Sequence, residues 1–139
     1  MTEQFDLASR VQAPEDIESI KRLKARWWFA CDTRDIQGMR ACYDENNFLI
    51  DFGFIGEFTD MDAFISVFEA LACHPTHVDM HHGTAPEIEM TGPDTAKGRW
   101  RMRFQLLETE QQQYWPLFVA VLVGGQIGSI LNIKFLSNR

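Results

Sequence analysis

Little in this chain points to a polyanionic partner, a disulfide framework or a membrane. Thirteen lysines and arginines are outnumbered by 20 aspartates and glutamates, for a formal net charge of −7. The basic residues are scattered or alternate with apolar ones, so no concentrated phosphate-binding surface forms and nucleic acid is excluded as an expected partner. Cysteine is sparse. Cys31, Cys42 and Cys73 are an odd set without C-x-x-C spacing, which suits reduced thiols packed as small core residues. No stretch approaches the roughly 18 uninterrupted apolar residues of a membrane span. The N-terminal MTEQFDLASR carries no apolar signal-like run, and the expectation is a cytoplasmic protein that does not engage membranes. Repeats, low-complexity tracts and linkers are also missing, and Gly124-Gly125 reads as a hairpin turn and not as a phosphate-binding loop.

What is present is an ordinary globular balance, 45% hydrophobic and 24% charged, with a surplus of large rings: 11 Phe and 4 Trp. At 139 residues the chain suits one domain, 1–139, with one sizeable core and a polar lead over 1–14. Ile17, Ile20, Leu23, Trp27 and Cys31 recur at spacings of three and four, predicting a long helix with Pro14 in its first turn. A shorter helix is predicted from Asp35 to Tyr43, a strand from Phe48 to Phe54, and a third helix capped by Thr59 or Asp60 and closed by Pro75.

From Thr76 the texture changes to strands: Thr76 to Met90, Thr95 to Glu108 after a Gly92-Pro93-Asp94 turn, Gln113 to Val123, and Ser129 to Leu136. Helices first and sheet later give an α+β fold. Arg99, Arg101 and Arg103 alternate with Trp100, Met102 and Phe104, so one face of that strand is polar. The run from Leu117 to Val123 is apolar without alternation, as in a strand covered on both sides, and suggests a homodimeric or homotrimeric interface.

Two segments carry chemistry: RWWFACDTRD at the end of the first helix and MHHGTAPEIEM in the first long strand. A carboxylate beside an imidazole fixes its tautomer and steadies the imidazolium formed on proton uptake. Read singly, Asp32 is a helix-end residue facing solvent or capping the next helix, and His81 is a strand histidine satisfied by a carbonyl. His77, Asp79 and His81 share one strand face, but His77 and His81 lie about 13 Å apart along a strand, too far for one metal ion. No metal and no cofactor is expected. Cys31 lacks a visible base, and a neighbouring carboxylate raises its pKa, which disfavours thiol nucleophilic chemistry.

The pattern W-F-A-C-D-x-x-D, the HHGTAPEIEM strand and A-K-G-R-W together resemble the SnoaL-like families of the nuclear transport factor two superfamily, over roughly Glu15 to Phe135. The resemblance implies a cone-shaped α+β barrel, a strongly curved mixed sheet wrapped around the N-terminal helices, with an apolar pocket at its open end. In its scytalone dehydratase, bile-acid dehydratase and hexachlorocyclohexane dehydrochlorinase members, a helix aspartate holds a strand histidine as base. By position these become Asp32 and His81, with His82 turned to the opposite face.

The candidates to line the pocket are Trp27, Trp28, Phe52, Trp100, Phe104 and Tyr114, although rings in a small domain are usually core. Trp27 stands where those enzymes carry Tyr or Lys, and Trp100 where the scytalone dehydratase has a second histidine. Lys134 and Arg103 are candidate partners for a developing anion. The implied function is a cofactor-independent lyase or isomerase for a hydrophobic small molecule. The alternative is a non-catalytic ligand-binding or oligomerisation domain of the same fold.

Overall fold

The computed structural model describes residues 7–110 and 113–115. Helix α1 runs Leu7–Thr33, α2 Ile36–Arg40 and α3 Met61–Ala72. The strands are β1 Ile50–Asp51, β2 Glu57–Phe58, β3 His77–Gly92, β4 Thr95–Glu108 and β5 Gln113–Trp115. Among the described residues no helix is long and apolar enough to cross a membrane.

Helix α1 begins earlier than its pattern predicts, so the expected lead over 1–14 is in part helical and Pro14 lies inside the helix. Proline removes one intrahelical donor. Here that loss falls where Arg10, Val11, Gln12 and Pro14 are exposed, so water can serve the carbonyl left without a partner. Further on, Ile20, Trp27, Ala30 and Cys31 form the buried stripe.

The helix ends at Arg34, whose φ of 56° is left-handed. The Arg34 amide donates to the Cys31 carbonyl at 3.2 Å and the Asp35 amide to the Ala30 carbonyl at 2.9 Å, the paired bonds of a Schellman close. Asp35 then caps α2 through Oδ1, which accepts from the Gly38 amide at 2.9 Å. Arg34 also reaches across the fold, donating Nε to the Ala72 carbonyl at 3.2 Å and Nη2 to the His77 carbonyl at 2.5 Å. One side chain therefore ties the end of α1 to the end of α3 and the start of β3.

Asp60 is the cap of α3, accepting from the Ala63 amide at 2.8 Å. Helix α2 is shorter than predicted and stops at Arg40, which pairs with Glu45 and Asp62. The single strand predicted over 48–54 is instead a small β1–β2 hairpin around a 3-10 turn at Gly53–Ile55. Gly53 (φ 59°) and Gly56 (φ 140°) take backbone conformations that break an extended run.

The core lies between the helices and this hairpin. Trp27 stacks on Phe64 with centroids 5.8 Å apart and meets the Tyr43 ring edge-on at 4.9 Å, with Met39, Ile50 and Ile65 closing around them. Cys31, Cys42 and Cys73 are free thiols, the first two buried. Burial pushes Cys31 up to about 12, which keeps it a neutral packing group.

The long hairpin β3–β4 is antiparallel, registered from His77 opposite Glu108 to Thr84 opposite Arg101. A bulge between Thr84 and Glu87, with Ala85 at φ 48°, shifts the pairing before it resumes at Glu87 opposite Arg99. Strand β5 adds to β4, giving the order β3-β4-β5. The resemblance led to a mixed sheet closed as a barrel. Among the described residues every strand pairing is instead antiparallel, as the short turn between β3 and β4 requires for that pair, and no closed barrel is detected. The strands predicted over 117–123 and 129–136, and the interface read from the first, lie outside the described residues.

Candidate active site

Alternation along β3 and β4 sorts their side chains into two sets. His77, Asp79, His81 and Gly83, with Trp100, Met102, Phe104 and Glu108, share the face against which α1 packs. His82, Thr84, Arg101 and Arg103 take the other, so the two adjacent histidines are separated as their spacing predicts.

Asp32 lies in the last turn of α1, aimed at β3 by the Arg34 close. Its Oδ1 is 2.5 Å from His81 Nδ1, and its Oδ2 accepts from the His81 backbone amide at 3.1 Å. One carboxylate thus holds both the ring and the main chain of one residue. The side chains are 24% and 19% exposed, dry enough to strengthen a charge-assisted bond yet open enough to be reached. With Nδ1–H given to Asp32, neutral His81 carries its lone pair on Nε2. The Phe104 ring stands beside it, centroids 4.9 Å apart, and walls one side with apolar surface.

One turn before Asp32 on the same helix face, Trp28 comes so close to Gly83 that any Cβ there would overlap its six-membered ring. Trp28 meets Trp100 edge-on at 6.5 Å. Lys24, one turn earlier again, sits over both rings, its Nζ 5.1 Å from the Trp28 centroid and 5.9 Å from that of Trp100. Burial pushes the Lys24 ammonium down from 10.5 to about 8, with Cys31 and Cys42 opposing the fall. Asp79, 6% exposed and two residues before His81, has its carboxyl raised above the usual range, first by burial, against the pull of Arg34, His81 and His77.

Of the residues singled out in the sequence, Asp32, His81, Trp28, Trp100 and Phe104 gather on this face. Trp27 does not: it is 6% exposed and belongs to the helical core, because the residue next to Trp28 on a helix points about 100° away. Phe52 packs on Phe64 at 5.9 Å, beside the β1–β2 hairpin. Tyr114 pairs in register with Leu107, and its side chain, like Lys134, lies outside the described residues. Arg103 falls on the face opposite His81. A concavity of about 570 Å³ opens there, lined by His82, Thr84, Arg101, Arg103 and Gln105 of that opposite side together with Met102. It includes neither Asp32 nor His81, and size alone does not outweigh their directed hydrogen bonds.

Lys24 is the residue that sequence reasoning passed over. The signal for it was available, since Lys24, Trp28 and Asp32 follow one another at intervals of four on one helix face.

A model of the SnoaL-like domain matches residues 12–123. The chain belongs to the SnoaL-like domain family, within the NTF2-like superfamily. That family's fold is an α+β cone, of which the described residues supply the helices and antiparallel strands. It includes isomerases, dehydratases and ligand-binding members. Among curated proteins no match is found.

Proposed function

We propose that this protein is a cofactor-independent lyase or isomerase in which His81 removes a proton from a carbon next to an activating group on a hydrophobic small molecule. The observation that carries the reading is the double grip of Asp32 on His81. It fixes the tautomer that leaves Nε2 free to accept a proton and stabilises the imidazolium that results. Phe104, Trp28 and Trp100 supply apolar surface for the substrate body. Lys24, held over the two indoles and with its ammonium pushed down to about 8, is still a cation at neutral pH and stands as the partner for an enolate. A leaving group β to the carbanion gives elimination, and return of the proton elsewhere gives isomerisation.

The test is solvent hydrogen–deuterium exchange at the activated carbon of a panel of apolar ketones and polyketide-like or steroid-like compounds, followed by NMR. Wild type is expected to catalyse exchange in at least one of them, and His81→Ala to lose about 10²- to 10⁴-fold. In parallel, NMR of the side-chain N–H groups of the four histidines in wild type and Asp32→Asn should single out His81, whose Nδ1–H loses its carboxylate acceptor. Equal exchange in wild type and His81→Ala refutes the reading.

A second reading, ligand binding without turnover, draws on Trp100, whose indole donates a hydrogen bond but exchanges no proton at useful pH. Saturable binding with no exchange in any bound compound would favour it.

A further inference from the structure

At the far end of the same hairpin lies a second cluster of ionisable side chains that the proton-abstraction chemistry does not use. His74 sits in the turn after α3, His77 is the first residue of β3, and Glu108, opposite His77 in the register, is the last residue of β4. One ligand atom from each lies within 4.8 Å of the other two. His77 Nε2 is 2.8 Å from Glu108 Oε2, and the two imidazole rings are 4.7 Å apart. Bonds of about 2.0–2.2 Å to a tetrahedral ion place donor atoms about 3.4 Å from one another, a spacing this cluster brackets.

The surroundings hold these groups in place. Thr76, 7% exposed, contacts His74 Nδ1 through its hydroxyl at 2.8 Å, so a buried residue orients one of the three donors. The His77 amide donates to the His74 carbonyl at 3.1 Å, fixing the turn that brings the two rings together. Thr109 donates both its amide and its hydroxyl to the Thr76 carbonyl, each at 2.9 Å, clamping the end of β4 against the start of β3. His74 is exposed, which leaves a path for an ion and room for water as a fourth ligand.

We propose that His74, His77 and Glu108 bind a divalent transition metal ion, zinc or a zinc-like ion, in a three-ligand site open to solvent. Two imidazoles and one carboxylate are a borderline-soft donor set suited to zinc, cobalt or nickel, and too nitrogen-rich for calcium or magnesium. Along β3 the site is about 13 Å from His81, so the ion acts apart from the Asp32–His81 pair and the proposal stands independently of the function argued above.

The experiment is calorimetric titration of the chelator-treated full chain with zinc alone, together with the visible spectrum of the cobalt form. The expected result is one ion per chain, tetrahedral cobalt bands, and a rise in thermal midpoint with added zinc. His74→Ala and Glu108→Gln should each weaken binding at least tenfold, and Thr76→Val should weaken it by a smaller factor of about ten or less. His74 is exposed, so its removal leaves the fold intact and the chelator-treated midpoint close to wild type. Cys73→Ser and His82→Ala should leave binding unchanged. Zinc binding that survives both His74→Ala and Glu108→Gln overturns the proposal, as does binding lost in Cys73→Ser or no binding at all.

Discussion

Replacing Lys24 with methionine isolates the cost of holding an ammonium in the place this fold gives it. Methionine keeps an apolar stem of similar length against Trp28 and Trp100 and removes the charge. Burial lowers the Lys24 pKa from 10.5 to about 8, and at about 1.4 kcal/mol for each pH unit this drop is worth about 3 kcal/mol. Attraction between the ammonium and the faces of the two indoles opposes it by about 1–2 kcal/mol.

The sign follows from linkage. The folded-state pKa is depressed, so the native chain binds fewer protons than the unfolded chain between about 8 and 10.5. The stability associated with Lys24 is therefore fully present above 10.5 and is lost as pH falls through about 8. Urea unfolding of wild type and Lys24→Met at about pH 7 and pH 10.5 should show the variant's relative stability falling by about 1–3 kcal/mol as pH rises. Cys31, Cys42 and Tyr43 titrate in both chains and largely cancel from the difference. Two unfolding curves that keep a constant offset across this range would refute the reasoning and, with it, the role of Lys24 as a desolvated cation.

Asp79 carries the opposite sign: its carboxyl is raised, so the stability it contributes is fully present at low pH and is lost as pH rises through its folded value. Asp79→Asn should therefore gain on wild type between about pH 4 and pH 7 in urea midpoint, and a gap that closes over that range contradicts the burial argument. Gly83→Ala drives a methyl into the Trp28 ring and should cost about 1–3 kcal/mol. Combined with Trp28→Ala the cost should be well below the sum of the two single effects, and additivity would deny the contact.

Much of the fold was legible because local signals and burial agree. The three-and-four spacing of Ile20, Leu23, Trp27 and Cys31 located α1, Asp60 capped α3, and Gly92-Pro93-Asp94 marked the hairpin tip. The misses have local causes. Pro14 is a favoured helix-start residue, so a start there was the better reading of sequence, yet the helix runs through it despite a lost bond and a ring clash with the Arg10 carbonyl that together cost about 3 kcal/mol. Phe48 to Phe54 has the composition of a strand, but Gly53 within it and Gly56 just after it take positive φ and fold the chain back on itself.

The site divides along a different line. Asp32 and His81 were identifiable because a family pattern names them and strand alternation chooses between His81 and His82. Lys24 could be placed on the helix face of Trp28 and Asp32, but its contact with Trp100 and the clustering of His74 could not be read, because each depends on residues far along the chain. Lys24 meets its second indole because Trp100 comes up against Trp28, and His74 becomes part of a cluster because β4 returns Glu108 beside His77.

The same holds for the aim of Asp32. A helix-end carboxylate would ordinarily stay in water, and two bonds to His81 must offset the loss of hydration. Arg34 reduces what they must overcome. Its left-handed turn closes α1 immediately after Asp32, and its guanidinium grips the carbonyls of Ala72 and His77. The distance between helix end and strand is thus set four residues before His81 along β3, by a side chain that touches neither partner of the pair. The geometry that pairs His81 with Asp32 is set by the scaffold as well as by the pair itself, with Asp32 contributing orientation and charge and Arg34 contributing position.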